Sequence, residues 1–344
     1  MKEKYSKKLL ILMSCVLAIA MFAFGCGKEA EQKTEQQQQG QQEEQQEVLE
    51  EINVGALRGP TVINMIKMFE DNTVMGGTKV NYSVAEAPNI IMSRLLNGEL
   101  DIATVPSNLA AKIYNKGVPY QTGAVSVWGV LYILSNGVEI NSWSDLKGKE
   151  IELFGKGATP DILLRYLLKQ NGIDPEKDVI LNYSAGNVEL AQKMIAGQVK
   201  IAVVPQPFAT MVMAKNKDIK QVLDFQEEWK RIHGEDVAMP QACLVIKKDL
   251  AEKHHDVIVE FLQKYEESIN WVNQNPAEAS ALLEKHNTGM KAKLAESAIP
   301  YCNMKYVDAV DAKPALEKYY SILHDFAPET IGGKLPDEGF YFKK

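Results

Sequence analysis

The chain has 344 residues, of which 46% are hydrophobic and 24% are charged, and its formal net charge is −7. This length and composition allow a sizeable buried core in two compact lobes, and they exclude a chain that is disordered throughout. The acidic balance argues against nucleic-acid binding, because that role depends on clustered lysine and arginine side chains that neutralise phosphates.

Residues 1–25 have the pattern of a secretion signal. Four lysines within "MKEKYSKK" precede the apolar run "LLILMSCVLAIAMFAFG", so a basic region leads into a hydrophobic one. The run has about 17 residues and lies at the short limit for a membrane-spanning helix. It ends in "AFGC", which resembles the lipobox of bacterial lipoproteins and implies cleavage before a lipid-bearing Cys26. Loss of residues 1–25, whose net charge is +3, changes the formal net charge to −10.

Residues 26–50 are predicted to form a flexible tether. The segment "GKEAEQKTEQQQQGQQEEQQEVLEE" contains almost no apolar residue before Val48. Such a composition cannot offset the entropy cost of ordering the chain. We therefore expect a disordered linker that holds the folded part away from a membrane surface.

From Ile52 onward, predicted strands alternate with predicted helices. In the first block the strand-like segments are "INVGAL", "TKVNYSV" and "DIATV", and a long β-rich run, "AVSVWGVLYILS", follows them. In the second block they are "KEIELF", "DVILNYS", "KIAVV" and "IKQVLDF". This alternation predicts an α/β fold with mostly parallel sheets covered by helices. The last third, beyond "ACLVIKKDL", is predicted to be helical.

Two segments of the chain repeat one pattern. "LLNGELDIATVPSNLAAKIYNKG" and "MIAGQVKIAVVPQPFATMVMAKN" each contain a helix that ends at a glycine, Gly98 or Gly197. A strand then runs to Val-Pro, and a new helix begins. The repeat predicts two related α/β lobes.

These segments, with "SWSDLKGKEIELFGKGATPD" and the leader, resemble the solute-binding proteins of ABC importers, in the nitrate, sulfonate and thiamine-precursor group. The resemblance covers roughly residues 52–275 and implies a type II periplasmic-binding-protein fold, with a hinge and a ligand cleft between two α/β lobes. We accordingly expect 52–127 and 240–344 to form the first lobe and 128–239 the second.

Ligands of open α/β sheets bind where strands end and loops lead into helices. Five such loops are predicted here, and their helix N-termini offer free backbone N–H groups and a positive dipole. They suit a carboxylate, sulfonate or phosphate. The candidate ligand-binding residues are Arg58, Gly59, Pro60, Thr61, Glu86, Pro106, Ser107, Asn108, Trp128, Lys156, Gly157, Ala158, Thr159, Gln206 and Phe208.

Several of these candidates have an alternative role. Ser107 and Thr159 can cap the helices that follow them as well as contact a ligand. Arg58 can pair with an anion or lie solvated at the rim, and Glu86 can recognise an amine or pair with Arg58. Lys156 either helps to hold an anion or lies in solvent.

Three further candidates concern ring stacking and ligand charge. Trp128 and Phe208 can stack on a ring, with core packing as the alternative for Trp128. Gln206 stands where the resembled family often has an acidic residue, which weakens the case for a cationic ligand.

The sequence contains no H-E-x-x-H, C-x-x-C or G-x-S-x-G motif. In "GKGATPD", Lys156 is followed by Gly157, whereas a phosphate-binding P-loop requires Ser or Thr there. The adjacent His254 and His255 point about 100° apart on a helix and cannot share a metal ion. We therefore predict a protein that is not an enzyme and that has no cofactor, metal site or catalytic residue.

Cys243 and Cys302 are the cysteines of the predicted folded part. Outside the cytoplasm they could form a disulfide. Two separate buried thiols are the alternative, since Cys243 lies in an apolar, strand-like run.

The resemblance implies a monomeric, lipid-anchored binding protein on the extracytoplasmic face of the cell membrane. It would capture a small organic ligand, anionic or zwitterionic, and deliver it to an ABC permease and ATPase. One alternative is a biosynthetic enzyme on the same fold, which the leader disfavours because such biosynthesis is cytoplasmic. Another is a ligand-sensing partner of a membrane receptor.

Cys26 is expected to carry the lipid rather than Cys15, because cleavage within "LMSC" would leave a very short hydrophobic region and an apolar mature N-terminus. The exchange Cys26→Ala should abolish incorporation of labelled palmitate, and Cys15→Ala should leave it unchanged. Labelling of growing cells followed by immunoprecipitation measures both. Equal labelling of the two variants and the parent would contradict the assignment.

Overall fold

The computed structural model describes residues 49–235 and 237–344. The predicted signal peptide at 1–25, the lipid-bearing Cys26 and the predicted tether up to residue 48 lie outside these ranges. In the part that is described, no helix is both long and apolar enough to cross a membrane.

Strands and helices alternate through most of the described chain, as the hydrophobic periodicity predicts. The strands are β1 (Glu51–Leu57), β2 (Lys79–Ala85), β3 (Ile102–Pro106), β4 (Tyr120–Trp128), β5 (Leu131–Asn136), β6 (Glu150–Phe154), β7 (Ile180–Ser184), β8 (Ile201–Pro205), β9 (Ile219–Asp224), β10 (Pro240–Lys247) and β11 (Met304–Asp308).

The helices are α1 (Pro60–Met65), α2 (Pro88–Leu96), α3 (Ser107–Asn115), α4 (Thr159–Gln170), α5 (Asn187–Ile195), α6 (Phe208–Lys215), α7 (Phe225–His233), α8 (Lys248–Lys253), α9 (His255–Gln274), α10 (Pro276–Lys285), α11 (Ala292–Ala298) and α12 (Ala309–Phe326). Short 3₁₀ turns occupy Ile66–Phe69, Met75–Gly77, Trp143–Leu146, Ile299–Tyr301, Pro328–Ile331 and Glu338–Phe340.

The strands form two sheets. The six-stranded sheet has the order β11-β4-β10-β3-β1-β2, and the five-stranded sheet has the order β7-β6-β8-β5-β9. β1 is parallel to β2 and β3, and β6 is parallel to β7 and β8. Strand β10 runs antiparallel to β3 and β4, β11 to β4, and β5 to β8 and β9.

The expectation of mostly parallel sheets was therefore wrong, since both sheets are mixed. Parallel neighbours require a crossover connection, usually a helix. The chain instead passes from β4 to β5 through Gly129 and Val130 alone, and β4 and β5 belong to different sheets. The run "AVSVWGVLYILS" is thus two strands, divided at Gly129, whose φ of 42° favours glycine.

Proline and glycine residues mark several of the helix ends. α1, α2 and α10 begin at Pro60, Pro88 and Pro276, where the missing N–H of proline costs no helical hydrogen bond. Gly98 and Gly197 follow the ends of α2 and α5 with φ of 72° and 77°, the left-handed conformation that commonly ends a helix.

The last third of the chain is not wholly helical. Strand β11 lies between α11 and α12 and adds to the edge of the six-stranded sheet beside β4. Its five residues, "MKYVD", have the burial alternation of a strand only at their first three positions, so the signal for it in the sequence is weak.

One buried cluster contains side chains from both sheets. It includes Cys243 and Val245 on β10, Ile133 on β5, Trp229 on α7 and Tyr319 on α12. A second cluster packs α1 and α9 on the other side of β1. The first cluster packs α7 and α12 near the passage between the sheets. Strands of both sheets that carry candidate residues at their ends are therefore packed against one core.

Cys243 and Cys302 are both buried and form no disulfide. Burial raises the pKa of each thiol to about 12. At neutral pH both are therefore neutral thiols, which corresponds to the second of the two alternatives expected from the sequence.

Candidate functional site

The loops at the strand ends of the two sheets meet. Gly59, between β1 and α1, has a φ of 126°, and a Cβ placed on it would lie 3.8 Å from Cδ of Pro207 and 4.0 Å from the carbonyl oxygen of Gln206. Gln206 and Pro207 follow β8 of the five-stranded sheet. Glycine at position 59 thus permits the backbone conformation, and the facing loop lies within van der Waals reach of it.

A buried hydrogen bond joins the same two sets of loops. The Thr159 hydroxyl, at the start of α4, donates to Oδ1 of Asn108 at 2.8 Å. Asn108 is the second residue of α3, and both side chains are buried, with 2% of Asn108 and 6% of Thr159 exposed. The N-termini of α3 and α4, which follow strands of different sheets, therefore face each other across this bond.

The predicted caps at Ser107 and Thr159 do not form. Each is the first helical residue rather than the N-cap, which is Pro106 for α3 and Ala158 for α4. The Thr159 hydroxyl is directed to Asn108 instead. Ser107 is fully buried, and its hydroxyl, with that of Thr122, lowers the Cys243 pKa against the larger effect of burial.

The loop "GKGATPD" is held from within by Asp161. Gly157, with φ of 73°, donates its backbone N–H to Oδ2 of Asp161 at 2.7 Å. Oδ1 of Asp161 accepts from Arg165 at 2.7 Å and from Tyr183 at 2.9 Å. One backbone donor predicted to face a ligand is therefore used by the chain itself. The i, i+4 spacing of Asp161 and Arg165 was a sequence signal for this pair.

Lys156, in the same loop, is exposed, and its Nζ lies 5.8 Å from the centroid of the Tyr183 ring. Within the same loop, Ala158 donates its backbone N–H to the carbonyl oxygen of Gly155. The lysine side chain therefore lies at the exposed edge of the loop, and its role toward an anion stays a prediction.

Arg58 links three segments that are distant in sequence. Its Nη2 forms an ion pair with Glu86, after β2, and its Nε donates to the carbonyl oxygen of Thr288 at 3.1 Å. A guanidinium has five N–H donors, so these contacts use two of them. Of the two side chains, 26% of Arg58 and 58% of Glu86 is exposed, which places the pair at a rim.

The guanidinium of Arg58 packs directly on Gly289. A Cβ added to this glycine would overlap Nη2, Cζ and Nε of Arg58. Gly289 also has a φ of 81°. The loop between α10 and α11 thereby packs closely against the arginine, and none of its residues was predicted to belong to the site. The turn-forming series "HNTG" was the available signal.

A partly open space of about 310 Å³ lies between this loop and the start of α6. Arg58 and Phe208 both line it. Next to it, Gln206 is buried and its Oε1 accepts from the backbone N–H and hydroxyl of Thr210, at 3.3 and 2.9 Å. Gln206 thus supports the first turn of α6, which presents Phe208 to the space.

Trp128 is not part of this group. Its Nε1 donates to the carbonyl oxygen of Lys305 at 2.9 Å, and its ring lines a different space, of about 580 Å³, with Tyr132 and Tyr301. Thr61, by contrast, is buried beside the site and donates to the carbonyl of Leu57 at 2.7 Å. The structure therefore pairs the candidates after β1 with those after β8, and the candidates after β3 with those after β6, and it places Trp128 elsewhere.

Within 49–235 and 237–344, no group of three or more His, Cys, Asp or Glu side chains has the placement needed to hold a metal ion.

Two mixed sheets, joined by a short strand-to-strand passage and facing through their loops, place the chain among proteins with the two-lobed fold of periplasmic binding proteins. A crystal structure of an ABC transporter from Parabacteroides distasonis is 27% identical, with a TM-score of 0.72 over 86% of this chain and 99% of that chain. The aliphatic sulphonate binding protein SsuA from Escherichia coli has 17% identity and a TM-score of 0.66, over 86% and 92%. The predicted fold class is confirmed.

The particular family is given by the sequence comparison. A family model described as menaquinone biosynthesis matches residues 52–325, and the chain belongs to that family. A predicted binding protein of Bacillus subtilis (strain 168), YtlA, is 26% identical over 211 residues. That alignment spans 60% of this chain and 57% of YtlA, so it covers little more than half of the relative's length.

The contact between Arg58 and Gly289 predicts a specific cost for an added methyl group. Gly289→Ala and Gly333→Ala both place a Cβ at positive φ, 81° and 85°, which costs about 1–2 kcal/mol. Gly333 has no neighbouring atom within 4 Å of such a Cβ. Gly289→Ala must in addition displace the guanidinium from its partly exposed contacts with Glu86 and Thr288, at a further cost of about 1 kcal/mol. Urea unfolding should show a larger decrease in the free energy of unfolding for Gly289→Ala than for Gly333→Ala. Equal decreases would contradict the contact between Gly289 and Arg58.

The hydrogen bond between Thr159 and Asn108 predicts a local opening when it is removed. Thr159→Val leaves a buried amide oxygen without its donor, at a cost of about 1–3 kcal/mol. Thr330→Val is the control, because this buried hydroxyl donates at 2.7 Å to Ala327 within the C-terminal segment. Hydrogen exchange at the starts of α3 and α4 should accelerate in Thr159→Val only. Unchanged protection there would show that the bond does not hold the loops together.

Proposed function

We propose that the protein is a lipid-anchored, extracytoplasmic solute-binding protein that captures a small organic anion or zwitterion and delivers it to an ABC permease and ATPase. The observation that carries this proposal is the meeting of loops from two sheets, at Gly59 with Pro207 and at Asn108 with Thr159. A ligand held there contacts both halves of the molecule at once.

The position of these loops explains how ligand binding would be coupled to a change of conformation. Helices α1 and α6 follow one of these pairs of loops and helices α3 and α4 begin at the other, and helix N-termini favour negative charge. A ligand that contacts both sheets binds the closed arrangement better than an open one, so it shifts the population toward the closed form. Hinge rotation about the passage between β4 and β5 is the motion we propose, with 52–127 and 240–344 as one lobe and 128–239 as the other.

The location is proposed from the leader. A signal at 1–25, lipid on Cys26 and the glutamine-rich tether would place a monomeric binding protein outside the membrane, where a permease or the receptor of a sensing system could meet it. The binding-protein fold supports the permease as partner, since solved proteins of this fold include components of ABC transport systems.

A second candidate is an enzyme that acts in menaquinone biosynthesis, and the description of the matching family favours it. In such an enzyme the same loops would orient a substrate for reaction. Cys243, beside Ser107, is the buried thiol nearest to the α3 loop, but its raised pKa keeps it neutral at pH 7 and unsuited to act as a nucleophile.

The two candidates differ in what becomes of the ligand. We expect mass spectrometry of the protein purified from its native membrane to recover one solute per chain, chemically unchanged after prolonged incubation with excess solute. Addition of that solute should raise the thermal midpoint, because it binds the folded state. Thr159→Val should lower its affinity, whereas Thr330→Val should not. A product of altered mass that accumulates beyond one equivalent per chain would reject binding without chemistry.

A further inference from the structure

We propose that the solute has an apolar body, of the size of one or two rings, and an acidic head group, and that the body occupies the space beside Arg58. This inference rests on the proposed function and specifies its ligand. It is carried by the form and lining of the space, of about 310 Å³, which lies at the lower end of the usual range for small-molecule sites.

The wall of this space is mostly apolar. Six of its nine lining residues have apolar side chains: Val188, Pro207, Phe208, Met211, Met290 and Leu294. A sugar or an inorganic anion would lose hydration against such a wall without gaining hydrogen bonds. Two methionines in the wall can adapt to the outline of a ring or a branched chain, and Phe208 can pack against its face.

The charges at the edge of the space have one sign. The two charged residues that line it, Arg58 and Lys291, are both cations. Each already has a carboxylate partner, Glu86 for Arg58 and Glu284 for Lys291, yet both pairs are at the surface, where such pairs are weak. Arg58 also has donors beyond the two in use. An acidic head group can therefore bind the guanidinium while the apolar body packs against the apolar wall.

The space belongs to both halves of the molecule. Val188 on α5 and Met211 on α6 come from the segments that pack on the five-stranded sheet, whereas Met290 and Leu294 come from the C-terminal segment attached to Arg58. Val188 is a large apolar side chain that is 48% exposed, so it stands at the mouth. An apolar body in this space would be covered by both halves of the molecule. Its burial would therefore favour the closed form.

Two valines provide a matched test of this site. Val188 and Val310 are each the second residue of a helix, α5 and α12, and each is 48% exposed. An aspartate at either position is compatible with the helix N-terminus. Only Val188→Asp places a carboxylate at the mouth of the space. There it repels an acidic ligand and attracts water to the apolar wall.

The test is calorimetric titration of the full-length protein in lipid vesicles, with the heat from protein-free vesicles subtracted. The probes are 1-naphthaleneacetate and its uncharged analogue 1-naphthaleneacetamide. We expect the acid to bind at least tenfold more tightly than the amide. Val188→Asp should weaken the acid at least tenfold, and Val310→Asp should leave it within twofold of the parent.

Several results would overturn the inference. These are equal affinity for acid and amide, no binding of the acid to the parent protein, or an equal effect of the two aspartate variants. A polar solute without an apolar body, recovered unchanged by mass spectrometry, would also reject it and leave the proposed binding function intact. A chemically converted solute would instead reject the proposed function.

Discussion

The buried hydrogen bond from Thr159 to Asn108 is the contact that joins the helix N-termini of the two sheets. It joins the first turns of α4 and α3, and these helices follow strands of different sheets. Both groups are removed from water, so separating them without a replacement partner leaves each unsatisfied. The bond therefore favours the arrangement in which the two helix N-termini face each other.

Residues of the C-terminal third, which are distant in sequence from the other loops, form part of the site. Arg58 joins the end of β1 to the carbonyl of Thr288 and lies on Gly289. The segment that follows, with Met290 and Leu294, supplies one wall of the apolar space. The arginine is therefore a structural link that also lines the apolar space, and these roles are compatible because a guanidinium has more donors than the two contacts use.

The local elements of the fold could be predicted from the sequence to within a few residues. Hydrophobic periodicity located β1, β3, β6 and β8 and the helices after them, and the loops at these strand ends do come together. Caps were less predictable. Serine and threonine at the helix starts suggested N-caps at Ser107 and Thr159, but each side chain has a tertiary neighbour, Cys243 or Asn108, that the local sequence does not contain.

By itself, the sequence determined the alternation of strands and helices, the glycine and proline positions that end and begin them, and the loops that carry polar groups. These features follow from backbone geometry within a few residues. Only the tertiary structure decided that "AVSVWGVLYILS" divides between two sheets, that β11 joins the first of them, and that Arg58 is bound by the loop at Gly289. The reason is physical: strand pairing and side-chain contacts between residues that are distant in sequence depend on how the sheets pack, and no local pattern encodes them.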